Sequence, residues 1–386
     1  MRILYLSLSY VPSRRASSMH VMRMCAALAR AGHEVELVAK ASTEPSSSGF
    51  DDYAFYGVAP SFKLTKLHRP AWRGGGVVFT AELLRTLLRE RSRAELVFGR
   101  DPLGPLLAAE LGMPVAFEWH EIPRSRLQLA LLRRLARQRT LLGMVSISDA
   151  LRRDVRAADL AAPDRPHVVA HDAADAPHGV EVTRPSTARP VVGYVGSLYA
   201  GRGIELILEL ARRMPDLDFE LVGGNERDLA TWRVGLPSNV RLAGFVPPAH
   251  LPARYAAMNV LVLPHSARGV AGASGGDISR WTSPLKMFEY MASGAPIIAS
   301  SLPVLGEVLH HERNALIAPA GDLDAWERAV RRLVGNPTLA ASLARCAYDD
   351  LVRHYTWDAR VRTIFTGLGL EDAPAERSWS RRSSSL

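Results

Sequence analysis

The sequence predicts an α/β protein built as two Rossmann-like, doubly wound domains that face a central cleft. Three features point there. At 386 residues the chain is too long for one ordinary core and suits two domains of about 150–200 residues each. Short apolar runs alternate with segments of helical periodicity from end to end, the grammar of parallel sheets wrapped by helices. Near the middle, 172–190 carries Pro177, Gly179, Pro185 and Pro190 among small polar residues, a composition that joins domains. The expected division is 1–185, then 186–349, with a helix over about 350–370 returning to the first domain and a disordered tail over 371–386.

In chain order, Ile3–Leu6 reads as a buried strand. Val21, Met24, Cys25 and Leu28 mark one face of a helix from Met19 that Gly32 stops. Val35, Leu37 and Ala39 then alternate with glutamates in a second strand. Further strands fall near Leu96–Phe98, Val115–Glu118, Met144–Ile147 and His167–Ala170, with helices near 77–91, 103–111, 124–141 and 148–158. The second half repeats the style. Strands are expected at Val191–Val195, Phe219–Val222, Val240–Ala243, Val260–Leu263, Ile297–Ala299 and Ala315–Ile317. Helices are expected near 203–213, 248–257, 284–293, 302–310, 322–335, 337–346 and 348–367.

Composition excludes several classes. Two cysteines, Cys25 and Cys346, make neither a disulfide framework nor a zinc cluster. No uncharged apolar run reaches the ~18 residues of a membrane span, and the first residues lack a signal-peptide cleavage site. The expected location is cytoplasmic, with peripheral contact at the inner face of the cell membrane left open. The net charge is +9 and the pI about 9.9. Most of this reads as a dispersed solvated surface, and no recognition motif supports nucleic-acid binding. The exception is 124–142, where Arg124, Arg126, Arg133, Arg134, Arg137 and Arg139 interleave with leucines. That pattern suits an anionic membrane surface, but it equally describes a helix with its leucines in the core, the preferred reading.

Two segments carry chemistry. Gly193–Gly203 follows a strand, opens a helix, and places Gly196, Gly201 and Gly203 around Ser197 and Arg202. Glycines let backbone N–H groups approach an anion, and the helix start adds positive potential. Arg202 at its mouth suits a bidentate grip on a diphosphate. The second segment is Ser283–Pro296. Ser283 suits the helix cap and Pro284 the first helical position, leaving the N–H groups of Leu285 and Lys286 free for a phosphate. Lys286 and Glu289, three apart, can face one ligand, and a carboxylate there suits the hydroxyls of a ribose.

Together these segments resemble the family 4 glycosyltransferases of the GT-B fold, and the resemblance runs along nearly the whole chain. Trp119-His120-Glu121, Val145-Ser146-Ile147-Ser148, His171-Asp172, Gly244-Phe245-Val246 and Leu263-Pro264 extend it. It implies transfer of a sugar from a nucleotide-sugar donor to a hydroxyl of a glycan, lipid-linked or small-molecule acceptor. Retention of configuration is implied, with no cofactor or metal beyond the co-substrate, whose base (UDP, GDP or ADP) stays open. By resemblance, Glu289 binds the donor ribose, Arg202 the diphosphate, Phe245 and Val246 meet the base, and His120 lies near the transferred sugar; Lys286 is a candidate to share the phosphate charge where Ser197 replaces an arginine. The loop with Arg15, Ser17 and Ser18 faces the cleft as an acceptor or phosphate loop, although capping explains the serines nearly as well. Two departures stand out. Trp281 occupies the position of the family's first glutamate, so recognition of the donor sugar must differ, and Asp277 is a candidate stand-in that reads equally as an acid serving its own loop. Ser197 replaces the usual arginine. Two further readings stay open: a sugar-nucleotide epimerase of the same fold, or a non-catalytic binding protein that kept it.

Overall fold

The computed structural model describes residues 1–42, 51–70, 72, 74–177, 189–199, 201–270 and 276–370. The expected domain junction at 185/186 and the tail 371–386 lie outside the described residues.

The first unit runs β1 (Arg2–Val11), α1 (Ala16–Arg30), β2 (Glu34–Ala41), α2 (Asp52–Tyr56), β3 (Lys63–Leu67), α3 (Gly75–Glu90), β4 (Leu96–Gly99), α4 (Leu103–Glu110), β5 (Val115–Trp119), α5 (Arg126–Ala136), β6 (Leu141–Ser146), α6 (Asp149–Ala157) and β7 (His167–Val169). Its seven strands are all parallel, in the order β3-β2-β1-β4-β5-β6-β7. The second unit runs β8 (Val191–Val195), α7 (Ile204–Arg213), β9 (Asp218–Val222), α8 (Glu226–Arg233), β10 (Val240–Gly244), α9 (Leu251–Ala256), β11 (Val260–Leu263), α10 (Leu285–Ala292), β12 (Ile297–Ser300), β13 (Leu316–Ala318), α11 (Leu323–Val334), α12 (Pro337–Asp350) and α13 (Trp357–Leu368). Its six strands are again parallel, in the order β10-β9-β8-β11-β12-β13.

Each sheet is buried on both faces, which is why its central strands read as apolar runs rather than alternating ones. Tyr5, Leu37, Phe98 and Val145 pack to one side of the first sheet, Leu4, Val97, Phe117 and Met144 to the other. The second sheet is covered likewise, by Met287, Phe288 and Met291 on one face and Ile207, Leu210 and Trp326 on the other. α13 packs on the first sheet, adding Trp357, Val361, Ile364 and Phe365 to the core that α1 supplies with Val21, Met24 and Leu28.

The expected elements shift in several places. β3 was not expected because Lys63-Leu-Thr-Lys-Leu is an edge strand whose lysines break the apolar signal. Asp51 caps the five-residue α2, and α8 opens with an Asn225/Asp228 capping box; neither was anticipated. The helix expected at 302–310 shrinks to a single 3₁₀ turn, Leu305–Glu307. The helix expected at 124–141 is confined to α5. The last two helices divide further along than expected, at a π turn over Leu351–Tyr355, after which Thr356 caps α13.

Both strand orders reverse, between β1 and β4 in the first sheet and between β8 and β11 in the second. Such reversals open a crevice at the carboxyl ends of the strands where ligands bind. The ends face one another: the Arg14 guanidinium, just past β1, lies 4.1 Å from the ring centroid of Phe245, just past β10.

Candidate active site

The second sheet's reversal point gathers the predicted cations. Gly196 follows β8 with φ +152°, and a Cβ there would come within 2.6 Å of Lys286 Nζ. A side chain at Gly196 would push that ammonium aside. Lys286 donates to the Tyr194 hydroxyl at 2.6 Å and sits 4.3 Å from the centre of its ring. Tyr194 in turn donates to the Ser197 carbonyl at 2.8 Å, while the Ser197 side chain is exposed. Burial, followed by the charge of Arg202, holds the Lys286 ammonium well below the ordinary lysine value. An arriving anion reverses that penalty, so the site is biased toward negative ligands.

Arg202 lies over the Tyr199 ring at 4.7 Å, donates to the Tyr199 hydroxyl, and contacts His265 Nε2 at 3.2 Å. Its Nε is buried without a partner among the described residues. The bidentate grip expected of Arg202 is therefore partly committed to protein, although its Nε–H is unpaired among the described residues. His265 was missed in the sequence, although it directly follows the Leu263-Pro264 pair. It is fully buried, its Nδ1 has no partner among the described residues, and burial, with Lys286 and Arg202 nearby, drives its pKa well below the usual histidine value. It is a neutral ring wedged between two cations.

Two helix starts meet at this cluster. α7 begins after Gly203 (φ +75°) with no side-chain cap. Gly201 and Gly203 permit backbone contacts at the Gly269 and Pro264 carbonyls, to which a Cβ would come within 2.7 and 2.0 Å. α10 begins at Leu285, one residue later than expected, with Pro284 rather than Ser283 at the cap position and no side-chain cap. The Leu285 and Lys286 N–H groups thus keep the free positions an anion needs. Ser283 is not a cap: its hydroxyl oxygen accepts the backbone N–H of Asp172 at 2.9 Å.

Glu289, on the same helix and half-buried, accepts from the Tyr255 hydroxyl through one oxygen at 3.1 Å. Val246 packs on the apolar core beside α10. Trp281 is committed to the first unit: its indole donates to Asp154 on α6 at 2.6 Å, and its carbonyl accepts from the Ser148 hydroxyl at 3.0 Å. It fastens the units together from the position of the family's first glutamate. Asp277 organises its own loop. It accepts the N–H groups of Gly269 and Ser279 at 3.0 and 2.9 Å, and hydrogen bonds from the Ser279 hydroxyl and backbone lower its pKa to about 2. That use is the loop role, not a sugar contact.

On the first unit, Arg15 is exposed at the start of α1, where no side chain caps the helix. Ser17 and Ser18 therefore lie inside the first turn and cap nothing. Ser18 is fully buried and donates to the Tyr10 carbonyl at 2.7 Å, which removes it as a phosphate ligand. Ser17 stays half-buried.

His120 follows β5, at the edge of a buried charge cluster. Its Nε2 lies 2.8 Å from Glu118 Oε1, which also contacts Arg360 at 2.7 Å and His20 at 3.1 Å. His20, Glu118 and His120 are the one group among the described residues whose spacing could hold a metal. Arg360 already supplies the cation beside that carboxylate. Burial, then Arg100, lowers the His120 pKa to about 4; burial, then Arg156, does the same to His167. Each ring binds its proton more weakly folded than unfolded. Each therefore contributes stability that is complete above about pH 6.5 and lost as the pH falls toward 4, on the order of 3 kcal/mol per ring. Thermal melts should show Tm dropping steeply between pH 6.5 and 4.5; a flat profile would contradict the buried neutral rings.

α5 resolves the basic segment. Leu132 and Leu135 are buried, and Leu129 and Leu131 pack against the same core, which is the helix-with-a-core reading. All six arginines are exposed, and Leu127 stands 69% exposed beside them; only Arg134 pairs with a carboxylate, Glu110, among the described residues.

Two parallel reversal-point sheets facing each other, one carrying a caged cation pair, define the GT-B class of protein. Residues 16–171 match the family described as glycosyl transferase 4-like domain, and residues 189–336 the family described as glycosyl transferases group 1. The chain belongs to the group 1, family 4 glycosyl transferases. A phosphatidyl-myo-inositol mannosyltransferase of Mycobacterium leprae is 26% identical over 261 residues, 63% of this chain and 64% of that protein. A 2-deoxystreptamine glucosyltransferase of Streptomyces kanamyceticus is 28% identical over 202 residues, 47% of this chain and 49% of that one. The chain thus spans about half to two thirds of these relatives' length. Among solved structures, sucrose-phosphate synthase from Thermosynechococcus elongatus superposes with a TM-score of 0.71 at 17% identity, covering 95% of this chain and 97% of that one. Anabaena Alr3699/HepE in complex with UDP and glucose gives 0.70 at 17% identity, covering 95% and 99%. At such identity the likeness concerns the fold.

Proposed function

We propose that the chain is a glycosyltransferase of hexosyltransferase type. It transfers a sugar from a nucleoside diphosphate sugar to a hydroxyl of a glycan, lipid-linked or small-molecule acceptor, with retained configuration and without a metal. The observation that carries this is Lys286 held against Gly196, with Arg202 close by and two uncapped helix starts around them. Those groups supply what the reaction needs at the leaving group. As the bond to the anomeric carbon breaks, negative charge grows on the diphosphate, and fixed cations and N–H dipoles stabilise it without reorganising. The acceptor hydroxyl attacks from the same face, and its proton passes to the departing diphosphate oxygen. The acceptor enters from the first unit, where His120 meets the transferred sugar. Glu289 keeps one carboxylate oxygen for the ribose hydroxyls.

A thermal-shift screen of UDP-, GDP- and ADP-sugars identifies the donor, since a ligand at 100 times its Kd stabilises the fold by about 2.7 kcal/mol. Product analysis with and without acceptor, in buffer with and without EDTA, then tests the reaction. Transfer that survives EDTA supports the proposal. Epimerised donor without acceptor, or binding without turnover, rejects it in favour of an epimerase or a binding protein. Glu289→Ala should weaken nucleotide binding by roughly tenfold in calorimetry, the loss of about one charged hydrogen bond; unchanged affinity would remove Glu289 from the ribose. No helix among the described residues is long and apolar enough to cross a membrane. The exposed arginine face of α5 is proposed to touch anionic lipid. Flotation with phosphatidylglycerol vesicles should show salt-sensitive binding that Arg124→Glu/Arg126→Glu/Arg133→Glu abolishes; no binding at low salt would retire it.

A further inference from the structure

The cluster beneath His120 decides which ring nitrogen faces the cleft. Glu118 is fully buried on β5, yet its pKa lies well below the ordinary glutamate value: burial opposes this, and Arg360, His20 and His120 outweigh it. A carboxylate in that state only accepts hydrogen bonds. At 2.8 Å from Glu118 Oε1, His120 Nε2 must therefore carry a hydrogen. With a pKa near 4, the ring holds one proton at neutral pH, so Nδ1 is bare. Nδ1 makes no hydrogen bond among the described residues, and the side chain keeps 17% exposure. We infer that Glu118, paired with Arg360 of the returning helix, fixes His120 as its Nε2–H tautomer, so that Nδ1 accepts a hydrogen bond from a hydroxyl of the bound sugar. The inference rests on the reading of His120 as the residue that meets the transferred sugar.

The groups around the ring come from five elements. Arg100 follows β4, Glu118 lies on β5, His20 projects from α1 with its ring 4.9 Å away and nearly perpendicular, Asp172 follows β7, and Arg360 lies on α13. His20 Nδ1 is 2.8 Å from Asp172 Oδ1, while its Nε2 lies 3.1 Å from Glu118 Oε1 without a hydrogen bond among the described residues. Arg360 also donates through Nε to the His171 carbonyl at 2.9 Å, which keeps its fork against Glu118. The chain does not stop there, because the Asp172 N–H donates to Ser283 at the start of α10. Hydrogen bonds and one short strand of backbone thus join the proposed diphosphate cradle to the tautomer of His120. Glu118, His20, Asp172 and Arg360 are positioning residues; His120 alone touches the sugar.

Nitrogen-15 correlation spectra of histidine-labelled protein test this directly, with His120 assigned by its loss in His120→Asn. The wild type should show a protonated Nε2 and a bare Nδ1 from pH 6 to 8. Glu118→Leu/Arg360→Met, which removes both charges together, should move the two nitrogens toward an averaged signal. A protonated Nδ1 in the wild type, or a titration near the usual histidine value, overturns the inference. A second readout survives if the double variant fails to fold. Asparagine places its amide where Nδ1 stands and glutamine where Nε2 stands. His120→Asn should thus keep a turnover at least about tenfold above that of His120→Gln, and the reverse order overturns the inference. If no donor is turned over at all, the functional proposal falls, while the tautomer spectrum still decides this one.

Discussion

Lys286→Ala is expected to lower transfer turnover by roughly two to three orders of magnitude, and Arg202→Ala by about two. The ranking follows from position. Lys286 is buried against Gly196 and, among the described residues, bonded only to Tyr194, whose hydroxyl still has the Ser197 carbonyl as acceptor when the ammonium is gone. Removing Lys286 therefore deletes a charge at the leaving group without orphaning a buried donor. Arg202 is held by Tyr199 and His265 as well, so part of its guanidinium is already spent on the protein. Lys286→Met separates charge from packing: it fills the same channel and should be as inactive as alanine while melting close to wild type. Rates within threefold of wild type for either variant would remove that residue from the leaving-group site.

Gly203→Ala is expected to destabilise the fold by more than about 3 kcal/mol and to abolish measurable nucleotide binding. Two penalties add. At φ +75° any side chain costs about 1–2 kcal/mol, and here the Cβ would press to 2.0 Å of the Pro264 carbonyl oxygen, a backbone atom with nowhere to go. Relief requires moving Pro264 and with it His265, which contacts Arg202. Gly235→Ala isolates the first penalty, because Gly235 has φ +66° with nothing within 4 Å of the new carbon. It should cost about 1–2 kcal/mol and leave binding intact. Urea unfolding and calorimetry on both variants check this; equal destabilisation would show that the Gly203 contact is not what keeps α7 in place.

Much of this was legible in the sequence because buried parallel strands and helix faces write distinct apolar periods. The exceptions share a cause. β3 hides because its lysines face solvent at a sheet edge, and the turn at Leu305–Glu307 loses its helix to Pro303 and Gly306. At the site, residue types with one dominant use stand at close contacts: Gly203 against the Pro264 carbonyl and Gly196 against the Lys286 ammonium. Residues with several uses were not placed well. Ser283, Ser18, Asp277 and Trp281 all have side chains that serve the scaffold as readily as a ligand, and the tertiary partners that decide between these uses (Asp172, Tyr10, Gly269 and Asp154) lie far away in sequence or give no periodic signal. His265 and the Glu118–Arg360 pair were invisible for the same reason, since a buried polar residue declares itself only through what it touches.

The most direct measurement is the crystal structure of the chain with its donor nucleotide, or with UDP, GDP or ADP alone. The expected diphosphate accepts from the N–H groups of Leu285 and Lys286 at the start of α10, lies against the start of α7 beside Gly203, and comes within ion-pair reach of Lys286 Nζ and Arg202, with Gly196 against it. A diphosphate bound elsewhere, or one contacting only one of the two helix starts with Lys286 still buried behind Tyr194, would contradict the account.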